Sequence, residues 1–167
     1  MLKFTTTSPL HFFVNTPIEI EGYSQKNSAT FMSTKSNYIS TNRSKHYLKC
    51  HLIFVCKYRK PMLVGQLNYD IKQIFLSIAS KSDFDIEVME TDKDHVHFLI
   101  RYIPRWSIAQ IVRRLKQQST SQIWQLHPST LRKQYWYQSI LWSDGYFVCS
   151  IGEASPDTIR NYILSQG

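Results

Sequence analysis

Two histidines two residues apart, His95 and His97, lie in the run Asp94-His95-Val96-His97-Phe98-Leu99-Ile100. The apolar residues around them suit a β-strand, in which successive side chains point to opposite faces. Both imidazoles then project from one face, while Val96, Phe98 and Ile100 line the other and can be buried. Two imidazoles held side by side on a rigid element are half of a divalent-metal site. The pair alone does not decide the matter, because strands also carry histidines for packing, and several unrelated zinc enzymes use this spacing. Tyr162 and Gln166 form a second pair, four residues apart and so on one face of a helix. A tyrosine hydroxyl is a poor nucleophile at its free pKa of about 10, but beside a cation it can form a covalent intermediate. A glutamine carbonyl oxygen suits Mg²⁺ or Mn²⁺. With ten tyrosines in the chain, simple packing is the bland alternative for Tyr162.

The charge balance points to a polyanion. Twenty Lys and Arg stand against 12 Asp and Glu, a formal net charge of +8, with a pI near 9.4. Nucleic acid is the natural partner of such a chain. Lys57, Arg59 and Lys60 form one basic cluster, and Arg113, Arg114 and Lys116 another, each able to neutralise phosphates. Trp106, Trp124, Tyr135, Trp136 and Trp142 could stack on unpaired bases, although for any one of them the core is the commoner place. The cysteines, Cys50, Cys56 and Cys149, contain no C-x-x-C pair. That argues against a cysteine zinc site and suits a reducing cytosol, with Cys50 and Cys56 as small buried side chains. No stretch approaches the roughly 20 apolar residues of a membrane span.

These residues need elements to hold them. From His46, Leu48, Cys50, Leu52, Phe54 and Cys56 alternate with Lys49, His51, Ile53, Val55 and Lys57, a strand pattern. Leu67, Ile71, Ile74, Phe75 and Ile78 repeat at helical spacing over about 66–82. Phe84, Ile86 and Val88 alternate with Asp85, Glu87 and Met89 in a second strand. The turn-rich Thr91-Asp92-Lys93-Asp94 leads into the His-x-His strand, about 95–103. A second helix spans about 107–126, and a loop containing Pro128 follows. Residues 141–151 form a fourth strand, broken near Asp144-Gly145. Ser155-Pro156-Asp157 starts a last helix, with Ser as N-cap, Pro in the first turn and an acid at the positive dipole end. The order β-α-β-β-α-β-α predicts an α+β, ferredoxin-like antiparallel sheet with an added C-terminal helix carrying Tyr162. Residues 1–44, rich in Ser, Thr and Asn, read as a poorly ordered extension to a domain at 45–167. Met32 is an alternative translation start.

Several runs together resemble one family. They are His51-Leu-Ile-Phe-Val-Cys-Lys-Tyr-Arg-Lys-Pro-Met-Leu, Asp92-Lys-Asp-His-Val-His-Phe-Leu-Ile, and Leu115-Lys116 before Ser119. Leu141-Trp142 with Gly145-Tyr-Phe-Val follows, and then Ile159-Arg-Asn-Tyr-Ile-Leu-Ser-Gln. In this order and at these gaps they are similar to the single-tyrosine HUH transposases of the IS200/IS605 group, which include the REP-associated tyrosine transposases. The likeness covers about residues 46–166. It implies a small prokaryotic, cytoplasmic and nucleoid-associated homodimer that cuts and rejoins single-stranded DNA beside subterminal hairpins, through a 5′-phosphotyrosine. By the same resemblance His95, His97 and Gln166 hold Mg²⁺ or Mn²⁺, Tyr162 is the nucleophile, and the tyrosine helix can dock on the partner to give composite active sites. His51 is assigned to the strand face beside Lys49 and Lys57, outside the metal site. One competing reading is an inactive or domesticated relative that binds hairpin DNA without catalysis. Another is a metal hydrolase of small molecules, which needs an acid or base beside the histidines; Asp94 is expected on the opposite strand face.

Overall fold

A computed structural model of the chain describes residues 38–41, 44–136, 139–151 and 156–165. Two short strands, β1 (Ile39–Thr41) and β2 (Ser44–His46), pair as an antiparallel ribbon. The ribbon straddles the boundary expected at residue 44, and residues 1–37 lie outside the described residues. Then follow β3 (Leu48–Val55), α1 (Gly65–Ser80), β4 (Phe84–Thr91), β5 (His95–Tyr102), α2 (Ile108–Leu126), α3 (Pro128–Arg132), β6 (Phe147–Ile151) and α4 (Pro156–Leu164). Strands β3 to β6 form one antiparallel sheet in the order β4-β5-β3-β6. Each β-α-β half therefore takes a strand of the other half into its gap, which is the ferredoxin-like arrangement the element order predicts.

The pleat sorts the side chains into two faces. Leu52 and Phe54 on β3, and Val96, Phe98 and Ile100 on β5, are buried in the main core with the apolar stripes of α1 and α2. Phe98 meets Phe54 and Phe75 nearly edge-on, with ring centroids 5.3 and 4.8 Å apart, a favoured aromatic geometry. The N-terminus of α2 is closed by a capping box, in which the Ser107 hydroxyl accepts from the Gln110 backbone N–H and the Ser107 N–H donates to the Gln110 side chain. Cys50 and Cys56 are buried as expected. Burial pushes their thiols up to about 11 and about 12, so neither supplies a thiolate near neutral pH.

The other face carries His95 and His97, and it is only partly open. Val88, Leu99, Ile151 and Ile163 form a second, smaller apolar cluster there, through which α4 packs on β4 and β5. Val88 reaches this face because β4 bulges between Ile86 and Val88. The alternation of Phe84, Ile86 and Val88 places all three on one face, but the extra residue of the bulge turns everything after it over. Residues 128–132, expected as loop, form α3 with Pro128 in its first turn, where a missing N–H costs nothing. The break in the last strand is present: Trp142 makes an isolated bridge to Cys56, and regular pairing with β3 resumes at Phe147. No helix among the described residues is long and apolar enough to cross a membrane.

Trp142 is buried, and its indole N–H donates to the hydroxyl of the buried Ser119, 2.9 Å away. Replacing Ser119 by Ala leaves that N–H unpaired in a dry core, a loss of about 1–3 kcal/mol. Urea denaturation of S119A should give a lower midpoint with an unchanged m-value.

Candidate metal and nucleophile site

The central strand pair builds the site. In the β3–β5 register, His51 lies opposite Leu99 and Ile53 opposite His97, so His51 and His97 share a face one pleat apart. Their rings stack with centroids 5.3 Å apart, and His51 Nε2 lies 3.0 Å from His97 Nδ1. His97 is buried, and its Nε2 has no hydrogen-bond partner among the described residues. Burial, followed by the neighbouring His51 and His95, pushes His97 down to about 4; burial also lowers His51. Both rings are thus neutral near pH 7. When the His97 proton is on Nδ1 and donated to His51, its Nε2 is a buried lone pair without a partner among the described residues, which fits a metal ligand.

His95 has a matching arrangement. Its Nδ1 lies 2.6 Å from Asp94 Oδ1, which leaves Nε2 for another bond. A carboxylate on the far nitrogen is the usual support of a ligating histidine. The hydrogen bond from His95, with a further one from Arg59, holds the Asp94 carboxyl below the usual carboxylate range. The His95 and His97 ring centroids are 5.0 Å apart. Two bonds of about 2.1 Å to one ion require the nitrogens to lie no more than about 4 Å apart, so rings at this separation can share one. Asp92, Asp94 and His95 also have donor atoms within 4.8 Å of one another, with both carboxylates on the Nδ1 side of the imidazole.

One expectation is corrected here. Asp94 does not point away from His95: it precedes the first residue of β5, so strand alternation does not govern it. His51 is on the strand face of Lys49, as expected, and pairing with β5 also brings it against His97. Tyr162, on α4, lies on the same side, its ring centroid 6.1 Å from His51 and 6.5 Å from His97. It is 51% exposed, open to a substrate. Ile163, its neighbour in sequence, is the buried anchor of the helix. Gln166, the N-cap Ser155 and the side chain of Ile159 lie outside the described residues.

The family described as "Transposase IS200 like" matches residues 44–166. The chain belongs to this family. It is 32% identical over 121 residues to the ISDra2 transposase TnpA of Deinococcus radiodurans, covering 72% of this chain and 85% of that one. It is 25% identical over 118 residues to the IS200 transposase of Salmonella typhimurium, covering 71% and 76%. The crystal structure of a Deinococcus radiodurans transposase superimposes with a TM-score of 0.60 at 28% identity, over 81% of this chain and 98% of that one. A REP-associated tyrosine transposase, solved bound to a REP hairpin, shares the fold at TM-score 0.51 and 12% identity, over 75% and 68%.

In this IS200-like transposase the basic residues fall into distinct settings. Lys57 pairs with Asp144 at 2.7 Å, Arg59 with Asp94 at 2.9 Å, and Lys60 donates to the Gln134 carbonyl at 2.6 Å. Lys57 and Arg59 are therefore near the strand end that carries Asp94. Arg113 is exposed on α2, and Arg114 lies over the Trp106 ring. Lys116 differs: its ammonium donates to the carbonyls of Ser143, Asp144 and Gly145 and faces the Phe54 and Tyr146 rings. Burial pulls its pKa below the usual lysine value, and its bonds close the loop before β6. Among the candidate stacking residues, Tyr135 and Trp142 are buried, Trp124 bonds the Ile140 carbonyl, and Trp136 is 88% exposed.

The depressed His97 pKa sets a pH dependence. An unfolded histidine protonates near pH 6.5, and folded His97 not until about 4. Between those values the unfolded chain binds the extra proton, so stability falls as pH is lowered through the window. In EDTA, H97Q should show a shallower loss of stability between pH 6.5 and 4 than the parent protein.

Proposed function

We propose that this transposase cleaves and rejoins single-stranded DNA at the ends of its own mobile element, with Tyr162 as the nucleophile and His95 and His97 as metal ligands. The observation that carries this reading is the unpartnered, buried His97 Nε2 beneath an exposed tyrosine on a helix docked over it. His95 and His97 would hold a divalent cation, Mg²⁺ or Mn²⁺, and Gln166 would complete the ligand set. Such an ion supplies charge stabilisation at the scissile phosphate.

The rest is the work of the chain. The exposed phenol of Tyr162 gives its proton to water and its oxygen attacks phosphorus. An O–P bond to tyrosine forms, the P–O3′ bond breaks, and the departing oxygen takes a proton back from water to become a free 3′-OH. The product is a 5′-phosphotyrosine, which stores the phosphodiester so that a second 3′-OH can reverse the step without ATP. Asp94 accepts from His95 Nδ1 and so keeps that ring's Nε2 unprotonated, and His51 would do the same for His97 by accepting from its Nδ1. The +8 charge and the exposed Trp136 suit a single strand with unpaired bases beside a hairpin.

With Mn²⁺, the parent protein should form a covalent adduct with single-stranded DNA from its element's ends, seen as a band shifted on denaturing gels. Y162F should give no adduct, and H95A should lose at least about 100-fold in cleavage rate, since the ion's charge stabilisation is worth several kcal/mol. Hairpin binding by the parent protein without any adduct would instead indicate a binding-only relative.

One nucleophilic tyrosine per chain and two strand cuts per excision favour a homodimer. The described anchor of α4 is one small apolar cluster separate from the main core, so exchange of the helix to a partner's sheet disrupts little packing. Mixing Y162F with H95A should therefore restore adduct formation, because one of the two composite sites then holds both intact histidines and an intact tyrosine. A mixture as inactive as either variant would rule out the composite arrangement.

A further inference from the structure

We infer that Arg59 is a positioning residue for the metal ligand His95, acting through Asp94; this rests on the metal site proposed above. Tyr58 and Arg59 both have left-handed backbone, with φ of 62° and 52°. Two consecutive non-glycine residues in that region are strained, and such strain persists only where surrounding contacts impose it. Those contacts are visible. The Cys56 N–H donates to the Asp94 carbonyl at 2.8 Å, the Arg59 N–H to the Cys56 carbonyl at 2.9 Å, and the Leu63 N–H to the Lys93 carbonyl at 2.9 Å. The turn after β3 is thereby tied at both ends to the turn before β5, with Arg59 between the two ties.

What the strained turn delivers is a side chain. Arg59 Nε donates to Asp94 Oδ2 at 2.9 Å, while Asp94 Oδ1 receives His95 Nδ1–H at 2.6 Å. A carboxylate held by both oxygens, from opposite sides, cannot rotate away from the imidazole. His95 is then fixed in ring orientation and tautomer, with Nε2 as the lone pair. Stability does not account for the contact, because the Arg59 side chain is 73% exposed and an exposed ion pair contributes little. The geometry accounts for it, since outer partners of ligating histidines set their direction and basicity. The rival role for Arg59 is a direct phosphate contact, which needs no Asp94.

The test titrates Mn²⁺, without DNA, into the full chain and its variants R59A, R59K, D94N and R59A/D94N, read by electron paramagnetic resonance. R59A should weaken Mn²⁺ binding about tenfold, at the low end for loss of an outer partner. R59K should do the same, because an ammonium has no planar Nε–H to meet Oδ2. The double variant should bind no worse than D94N, since without the aspartate the arginine has nothing to act through. Nitrogen NMR of metal-free protein should show His95 shifting from the Nδ1–H tautomer towards a mixture in R59A. Parental Mn²⁺ affinity in R59A, or additive losses in the double variant, would overturn the inference. So would weaker single-strand binding by R59A in EDTA with Mn²⁺ affinity unchanged, which would mark a phosphate contact. A parent protein that binds no Mn²⁺ would instead remove the metal site itself, a result distinct from any difference among variants.

Discussion

The register of β3 against β5 is the constraint on which the rest of the molecule depends. It sets Leu52 opposite Phe98 and Cys50 opposite Ile100 on the face covered by α1 and α2, and His51 and Ile53 opposite Leu99 and His97 on the other. A slip of one residue would carry His51 into the apolar core and turn Cys50 and Leu52 out towards the histidines. The main core forbids that slip, because its close-packed rings around Phe54, Phe75 and Phe98 admit neither a polar ring nor a void. Packing on one side of the sheet thus fixes the spacing of titratable groups on the other. The bulge in β4 serves the same division, bringing Val88 beneath α4 without disturbing Phe84 or Ile86.

The polar face carries a cost of its own. A buried nitrogen without a partner, as at His97 Nε2, disfavours the folded state by about 1–3 kcal/mol. The surrounding groups make that cost specific. His51 and Asp94 occupy the far nitrogens of His97 and His95, so the open positions are on the near side of both rings. The carboxylates of Asp92 and Asp94 lie on the Nδ1 side of His95, where their charge favours a cation over an anion nearby. Lys116, which sequence placed with the phosphate contacts, is instead held by three carbonyls of the loop before β6.

The strand and helix pattern, the faces of β5 and the place of Tyr162 on a separate helix could be read locally, since period two and period four are written in neighbouring residues. His51 could not, because its partner lies 46 positions away and strand register leaves no mark in either segment alone. Asp94 escapes the pattern because strand alternation begins only at His95, the first residue of β5. The bulge leaves no mark in the sequence, because Asp85, Glu87 and Met89 keep an apparent alternation with Ile86 and Val88. Trp136 differs from the buried Tyr135 and Trp142 only through tertiary packing, which composition does not reveal.

The two apolar clusters of the sheet have unequal consequences. The large one packs α1 and α2 on the sheet; the small one joins Val88, Leu99 and Ile151 of the sheet to Ile163 and so seats the helix that carries Tyr162. Loss of α4 would therefore remove Tyr162 from the histidine face while leaving the packing of the sheet against α1 and α2 as it stands.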